Sequence, residues 1–229
     1  TEIEVKDNGN SIYAQEGKAT SANNDLEIIA KNFIYIKDID LLKAFKGEAL
    51  IKSENLKIKF NEMNLDQKNS FLTAKENVEI YDLKKKLLIK TNLINYNRTT
   101  NIIESPLNAI ITDRFNNILN TKTFEYEIEK NILKIKNANL KDFKNNFFEI
   151  ELAYINTISN QLIGKDVSVD LNNESFNAKN EPRLKGKSIV LEKNSSEVTK
   201  GVFTTCQKRD DCPPWVISAE KIQHDKKKQ

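Results

Sequence analysis

Glycine is scarce in this 229-residue chain, which has six, and no Gly-rich segment offers a loop to cradle a phosphate. Histidine occurs once, at His224. A Ser-His-Asp arrangement would have to draw on that single imidazole, and no Gly-x-Ser-x-Gly elbow is present. Cysteine occurs twice, at Cys206 and Cys212. With His224 these supply at most three Cys or His ligands where a closed structural zinc site needs about four, so no metal site is expected. Charge of one sign is lacking too: 36 basic against 33 acidic residues leave +3, scattered without the stripe that a nucleic acid would require. No apolar run approaches the roughly 18 residues of a membrane-crossing helix. Thr1-Glu2-Ile3-Glu4-Val5 has neither an initiator Met nor an export signal, so the segment reads as processed or excised from something longer. The expectation is a chain that is not an enzyme and carries no cofactor. Paired carboxylates could still converge from any of the acids, which keeps a β-rich polysaccharide-binding or polysaccharide-cleaving protein as an alternative.

What is present is alternation. Leu56-Lys57-Ile58-Lys59-Phe60, Phe124-Glu125-Tyr126-Glu127-Ile128 and Val167-Ser168-Val169-Asp170-Leu171 each place an apolar side chain at every second position, the period of a strand with one buried face. Connectors such as Asn97-Arg98-Thr99-Thr100-Asn101 and Asn172-Asn173-Glu174-Ser175 supply turn chemistry. A quasi-repeat links the two. Tyr35, Tyr81, Tyr96 and Tyr126 are followed by Leu41-Leu42, Leu87-Leu88, Ile102-Ile103 and Ile132-Leu133, and the Tyr96, Tyr126 and Tyr154 units lie about 30 residues apart, a spacing that predicts stacked strand pairs. Such pairs bury their inner faces only by stacking, and the stack leaves an open edge at each end.

The segment from Gly201 to Asp225 is the most distinctive. Phe203-Thr204-Thr205-Cys206 is an aromatic-x-x-Cys unit, Cys212-Pro213-Pro214-Trp215 leads into a strand, and Ala219-Glu220-Lys221-Ile222-Gln223-His224-Asp225 has the form A-x-x-I-x-x-D. These elements resemble the end of the periplasmic domain of the lipopolysaccharide-assembly outer-membrane protein family (LptD/OstA type), just before its barrel. The preceding residues resemble the OstA-like repeats of the same transport system, which implies a twisted β-jelly-roll of stacked antiparallel strands, open at both ends. The expected division is a jelly-roll domain over 1–200 and, over 201–229, terminal strands and a linker to an absent outer-membrane β-barrel.

The resemblance implies a non-enzymatic role at the periplasmic face of the outer membrane, with lipopolysaccharide passed from a soluble LptA-like bridge protein to the barrel and its LptE-like lipoprotein partner. A freestanding bridge or scaffold protein of the same repeat class is the alternative. Candidates for an apolar groove are Phe33, Tyr35, Phe60, Tyr96, Phe124, Tyr126, Leu152 and Tyr154. Ile3, Val5, Ile12 and Ala14 would form the edge that receives the bridge protein by β-augmentation. Cys206 and Cys212 could close a local disulfide if Asp210-Asp211 turns the chain back, could remain thiols, or, as the resemblance implies, could bond to cysteines of the barrel. A lone Trp215 defaults to packing, with a lipid-facing role as the sharper reading, and His224 reads as a polar residue at the end of the domain.

Overall fold

A computed structural model of the chain describes residues 2–172, 180–208 and 215–225. Sixteen strands take up most of them. They are β1 (Ile3–Lys6), β2 (Ser11–Thr20), β3 (Leu26–Ile36), β4 (Leu41–Ile51), β5 (Leu56–Asp66), β6 (Phe71–Asp82), β7 (Leu87–Asn97) and β8 (Ile102–Ser105). They continue as β9 (Ala109–Thr112), β10 (Ile118–Glu127), β11 (Ile132–Lys141), β12 (Phe147–Asn156), β13 (Leu162–Asp170), β14 (Arg183–Leu191), β15 (Ser195–Thr204) and β16 (Ile217–Asp225). Among the described residues the only helical element is a 3-10 turn at Asp7–Gly9, and no helix is long and apolar enough to cross a membrane. The strands form one antiparallel sheet in which nearly every strand pairs with its neighbour in sequence; β9 lies off that path, beside β7 and β10. By compactness the chain divides into two units, Thr1–Asp113 with Glu125–Lys130, and Arg114–Phe124 with Asn131–Gln229. β15 runs without a break through residue 200.

Alternation does not run through a strand uninterrupted. In β3, Leu26, Ile28 and Ala30 are buried, Lys31 and Asn32 are both exposed, and burial resumes at Phe33. β5 repeats this with Leu56, Ile58 and Phe60, then Met63 and Leu65. β7 does so with Leu87, Ile89 and Thr91, then Ile94 and Tyr96. In the second unit β12 steps from Ile150 to Ala153, and β13 from Gly164 to Val167. Each step slips the alternation by one residue at mid-strand: neighbouring strands mostly skip one residue each and keep their register, and the two-against-one count of a β-bulge, which bends a strand and sharpens its twist, occurs where β6 meets β5 and β7. Glu16, Lys31 and Lys46 drop out of the pairing side by side, so the bends align into a corner across the sheet. Glu16, Lys46, Glu76 and Asn77 of the first unit and Asn137, Asp166 and Lys200 of the second have positive φ at these corners.

The corner folds each unit's sheet back on itself. An extended strand as long as the 11-residue β7 spans roughly 36 Å, yet the turn beyond its far end meets the turn at the opposite end of β5: Asn101 Nδ2 donates to Glu54 Oε1 at 3.2 Å. The two arms therefore face each other with their apolar sides inward, in the expected all-β jelly-roll of antiparallel strands. Turns stack along the sheet. In the first unit Lys37 N donates to Asn10 O, Gln67 N to Asp40 O, Arg98 N to Ser70 O and Ile128 N to Asn101 O along one row, and Lys52 N to Asp25 O and Leu83 N to Asn55 O along the other. Most turns between the long strands hold one residue in the left-handed region, and Asn fills most of these places, at Asn24, Asn55, Asn101, Asn116, Asn131, Asn145 and Asn160, because its short amide tolerates that conformation.

Close packing of the arms and strands leaves Gly47 no room. A Cβ there would press on the Ile29 carbonyl oxygen and lie 2.6 Å from Ala30 Cβ. Gly47→Ala is expected to lower stability by about 1–3 kcal/mol, read as a lower urea midpoint with an unchanged slope; an unchanged midpoint would contradict this packing.

Candidate functional site

The candidate site is the apolar interior between the arms. Side chains paired across antiparallel strands share a face, so the pairing defines inner rows. In the first unit one row runs Val5, Ile12, Tyr35, Leu42, Leu65, Leu72, Tyr96, Ile103. Its exposure falls from 59% at Val5 through half-buried Ile12, Tyr35 and Leu42 to 4% at Leu65 and 0% at Leu72. The row is thus open to solvent at its N-terminal end and sealed further along. The outer face is polar and laced by cross-strand ion pairs, among them Lys18–Glu27 at 2.8 Å and Lys90–Glu79 at 2.7 Å. The Lys18 and Lys90 ammonium groups hold the Glu27 and Glu79 carboxyls below the usual carboxylate range.

Five of the eight predicted groove residues, Phe33, Phe60, Tyr96, Phe124 and Tyr126, lie on the inner face and are at most 6% exposed. They are packed as core. Tyr35 is half-buried at the open end. Leu152 and Tyr154 are corrected: both lie on the outer face, Leu152 opposite Lys136 and Lys165, and Tyr154, 42% exposed, opposite Lys134 and Ile163. Alternation carried straight on from Ile150 would turn them inward, but the corner after Ile150 shifts the phase by one residue and gives the inner face to Ala153.

The predicted docking edge is also revised in part. Ile3 and Val5, 68% and 59% exposed, sit on the edge strand β1, whereas Ile12 and Ala14 lie one strand in, paired with Val5 and Ile3. The uncovered remainder of that edge is Gly17–Thr20 of β2, which pairs only with β3. Cys206 is half-buried with Sγ 3.8 Å from the Trp215 carbonyl oxygen, while Cys212 lies outside the described residues and the disulfide with it. Trp215 is 43% exposed and tilts against Phe203 at 6.4 Å between ring centroids. His224 is exposed on β16, opposite Ser196.

The tyrosines at strand ends have a polar function that the repeat did not reveal. Tyr35 Oη donates to Asp40 Oδ1 and Tyr96 Oη to Asn101 Oδ1, both at 2.8 Å, so each ties its strand to the left-handed residue of the following turn. Burial, with the Glu54 charge behind it, raises the Tyr96 phenol well above its ordinary value.

Where the two rows of turns meet, the first unit is fastened by a buried ionic cluster. Lys85 Nζ lies 3.1 Å from Asp82 Oδ2, with side chains 7% and 1% exposed. It donates to Tyr126 Oη at 2.6 Å and to the Ile128 carbonyl at 3.1 Å, and Tyr126 Oη donates to Asp82 Oδ2 at 2.6 Å. The partners come from opposite ends of bent strands, so the cluster latches one arm to the other. Sequence reading took Tyr126 for lining and missed Asp82 and Lys85, since no local pattern joins them to it. In the second unit Arg114 Nη2 donates to the Ile158 carbonyl at 2.8 Å.

Two clefts follow the corners, of about 800 Å3 beside Lys31, Lys46 and Asn77 in the first unit and about 710 Å3 beside Lys122, Asp166 and Lys200 in the second. Both mix charges of either sign. Among the described residues no group of three or more His, Cys, Asp and Glu is placed to hold a metal ion.

Comparison with known proteins gives little beyond this geometry. No family model matches the chain, and no curated protein matches it. Among solved structures it is similar to LptH of Pseudomonas aeruginosa, described as the LptA homologous periplasmic component of the lipopolysaccharide transport device. That match has 14% identity and a TM-score of 0.43, covering 48% of this chain and 81% of that one.

Breaking one partner of the latch should be costly. Lys85→Met leaves Asp82 buried without its cation and is expected to lower stability by about 3–5 kcal/mol, whereas the Asp82→Leu, Lys85→Met pair should recover most of that loss. Urea titration of the two variants checks this, and equal losses would contradict a buried ion pair.

Proposed function

We propose that this chain is a non-enzymatic conduit for lipopolysaccharide, holding acyl chains between the arms of its folded sheet while the sugar headgroup stays in water. The observation that carries the reading is the gradient along the inner row: apolar side chains that are solvent-exposed at the β1 end and continuous with a sealed interior. Each methylene withdrawn from water along such a row stabilises the complex by about 0.8 kcal/mol. A tail of ordinary length therefore gains enough to part arms that are held mainly by side-chain contact and a few polar latches. Tails would enter from the Val5–Leu42 end, and the Asp82–Lys85–Tyr126 cluster would limit how far the arms separate at rest.

In the finer form of the proposal the chain is the periplasmic domain of a lipopolysaccharide-assembly outer-membrane protein. It would work at the periplasmic face of the outer membrane, take lipid from an LptA-like bridge protein at β1, and deliver it to a barrel paired with an LptE-like lipoprotein. The Phe203–Cys206, Trp215 and Ala219–Asp225 elements support that form. A freestanding bridge of the same class is the second reading, and it is favoured by the exposure of β16, where Ile217 is 56% exposed and the outer backbone edge pairs with no strand among the described residues. Nothing in this reading calls for a cofactor or a nucleic acid.

Photo-reactive residues separate these statements. Placed at Ile12, Tyr35 or Leu42 they are expected to crosslink to lipopolysaccharide, and at Tyr154 they are not; labelling at Tyr154 alone would contradict an interior site. Placed at Ile3 or Val5 they are expected to capture the bridge protein, and capture only from β16 would reverse the polarity.

A further inference from the structure

Two neighbouring turns of the second unit share a composition that the interior does not explain. Asp113-Arg114-Phe115-Asn116-Asn117-Ile118 leads into β10, and Asp142-Phe143-Lys144-Asn145-Asn146-Phe147 leads into β12. Each turn sets a solvent-exposed aromatic ring beside a cation at the tip. Phe115 is 49% exposed with the Arg114 guanidinium 4.9 Å from its ring centre, and Phe143 is 66% exposed with the Lys144 ammonium at 6.0 Å. Ile118 and Phe147, at the starts of the strands that follow, are 42% and 36% exposed. Phe143 N donates to Asn117 Oδ1 at 2.9 Å, which fixes one turn beside the other.

The second turn also keeps its backbone donors to itself. Asp142 N donates to Asn146 O and Asn145 N to Asp142 O. Lys144 N and Asn146 N donate to Asp142 Oδ1 at 2.9 and 2.8 Å, and Asn146 Nδ2 to Asp142 Oδ2 at 2.8 Å. With Phe143 N on Asn117, every backbone N–H from 142 to 146 is satisfied within the protein. That is what a turn needs in order to enter an apolar medium without stranding a donor. The Asp142 carboxylate faces its own turn, which leaves Lys144 as the charge displayed outward.

We propose that these two turns are a membrane-surface anchor, in which Phe115 and Phe143 insert below the headgroups of an anionic phospholipid bilayer while Arg114 and Lys144 meet its phosphates. Rings that can insert and cations at the headgroup level suit an interfacial site, and in the second turn the backbone donors are already satisfied within the protein. This anchor uses exposed tips and none of the inner rows, and Arg114, which also donates to the Ile158 carbonyl, is the one residue it shares with the contacts that close the second unit.

The test is flotation of the full chain with vesicles of equal parts phosphatidylethanolamine and phosphatidylglycerol, without lipopolysaccharide. Binding at low salt is expected, reduced about tenfold by Phe115→Ser and again by Phe143→Ser, and weakened by Arg114→Gln with Lys144→Gln or by added salt. An unchanged circular dichroism spectrum would show that the variants fold. As a second readout, Phe143→Trp in a Trp215→Phe background should shift its emission to the blue on those vesicles. Absence of vesicle binding, binding indifferent to both Phe substitutions, or an emission that does not move would each overturn the anchor. Loss of lipopolysaccharide crosslinking at Ile12 with vesicle binding intact would tell against the conduit alone.

Discussion

Half-way along each long strand one inserted residue turns the chain around a corner, and the rest of the structure depends on that step. A strand without it would carry Leu26, Ile28, Ala30, Asn32 and Ile34 on one side of a flat ribbon, and the apolar face of such a ribbon would need a second sheet to cover it. With it, Phe33 and Tyr35 continue the inner face around the bend, and the sheet supplies its own second layer. Corners at Lys31 and Lys46 sit side by side because neighbouring strands share a register. One misplaced corner would send half a strand's apolar residues to solvent, which is a strong constraint on register.

Bending brings the strand ends together, and the polar chemistry of the fold is concentrated there. The rows of turns are held by hydrogen bonds from one turn to the next, and the left-handed positions that close them fall mostly to Asn, with Asp40, Ser70 and Lys86 in three of the first unit's turns. The Asn-rich connectors of the sequence thus have a structural use. The contacts that fasten the meeting of the two rows include Asn101 with Glu54, and Asp82 with Lys85 and Tyr126. A buried ion pair of this kind contributes little net stability against an apolar replacement, yet breaking it singly is costly. It fixes how the arms close more than it fixes how stable they are.

Strands and their antiparallel stacking were legible because period-two alternation is a local signal. The corners were not, although they are written in the sequence: Leu56-x-Ile58-x-Phe60-x-x-Met63-x-Leu65 shows the slip once its meaning is known. Read without the slip, Leu152 and Tyr154 fall on the wrong face. The Tyr-to-aliphatic-pair repeat was visible, and its cause, a phenol tied to the next turn as in Tyr96 to Asn101, was not. Asp82 and Tyr126 could not be joined by any local pattern, since the strands that carry them meet only through the fold-back. The edge was half legible: exposed Ile3 and Val5 stand on β1, but Ile12 and Ala14 are already covered by it.

In an interior made of two arms of one sheet the strand-to-strand hydrogen bonds run within the sheet, so a change in its width would part side-chain packing and the latches opposite the corner and leave the ladder intact. That property is the one the proposed binding of lipid tails requires. The most direct measurement is the distance between spin labels at Ser53 and Thr100, exposed positions on the two rows of turns in the first unit, in a cysteine-free background with and without lipopolysaccharide. The account predicts a short, narrow distribution in the free protein that lengthens when lipid binds. A distribution that stays fixed while lipid is demonstrably bound would contradict it.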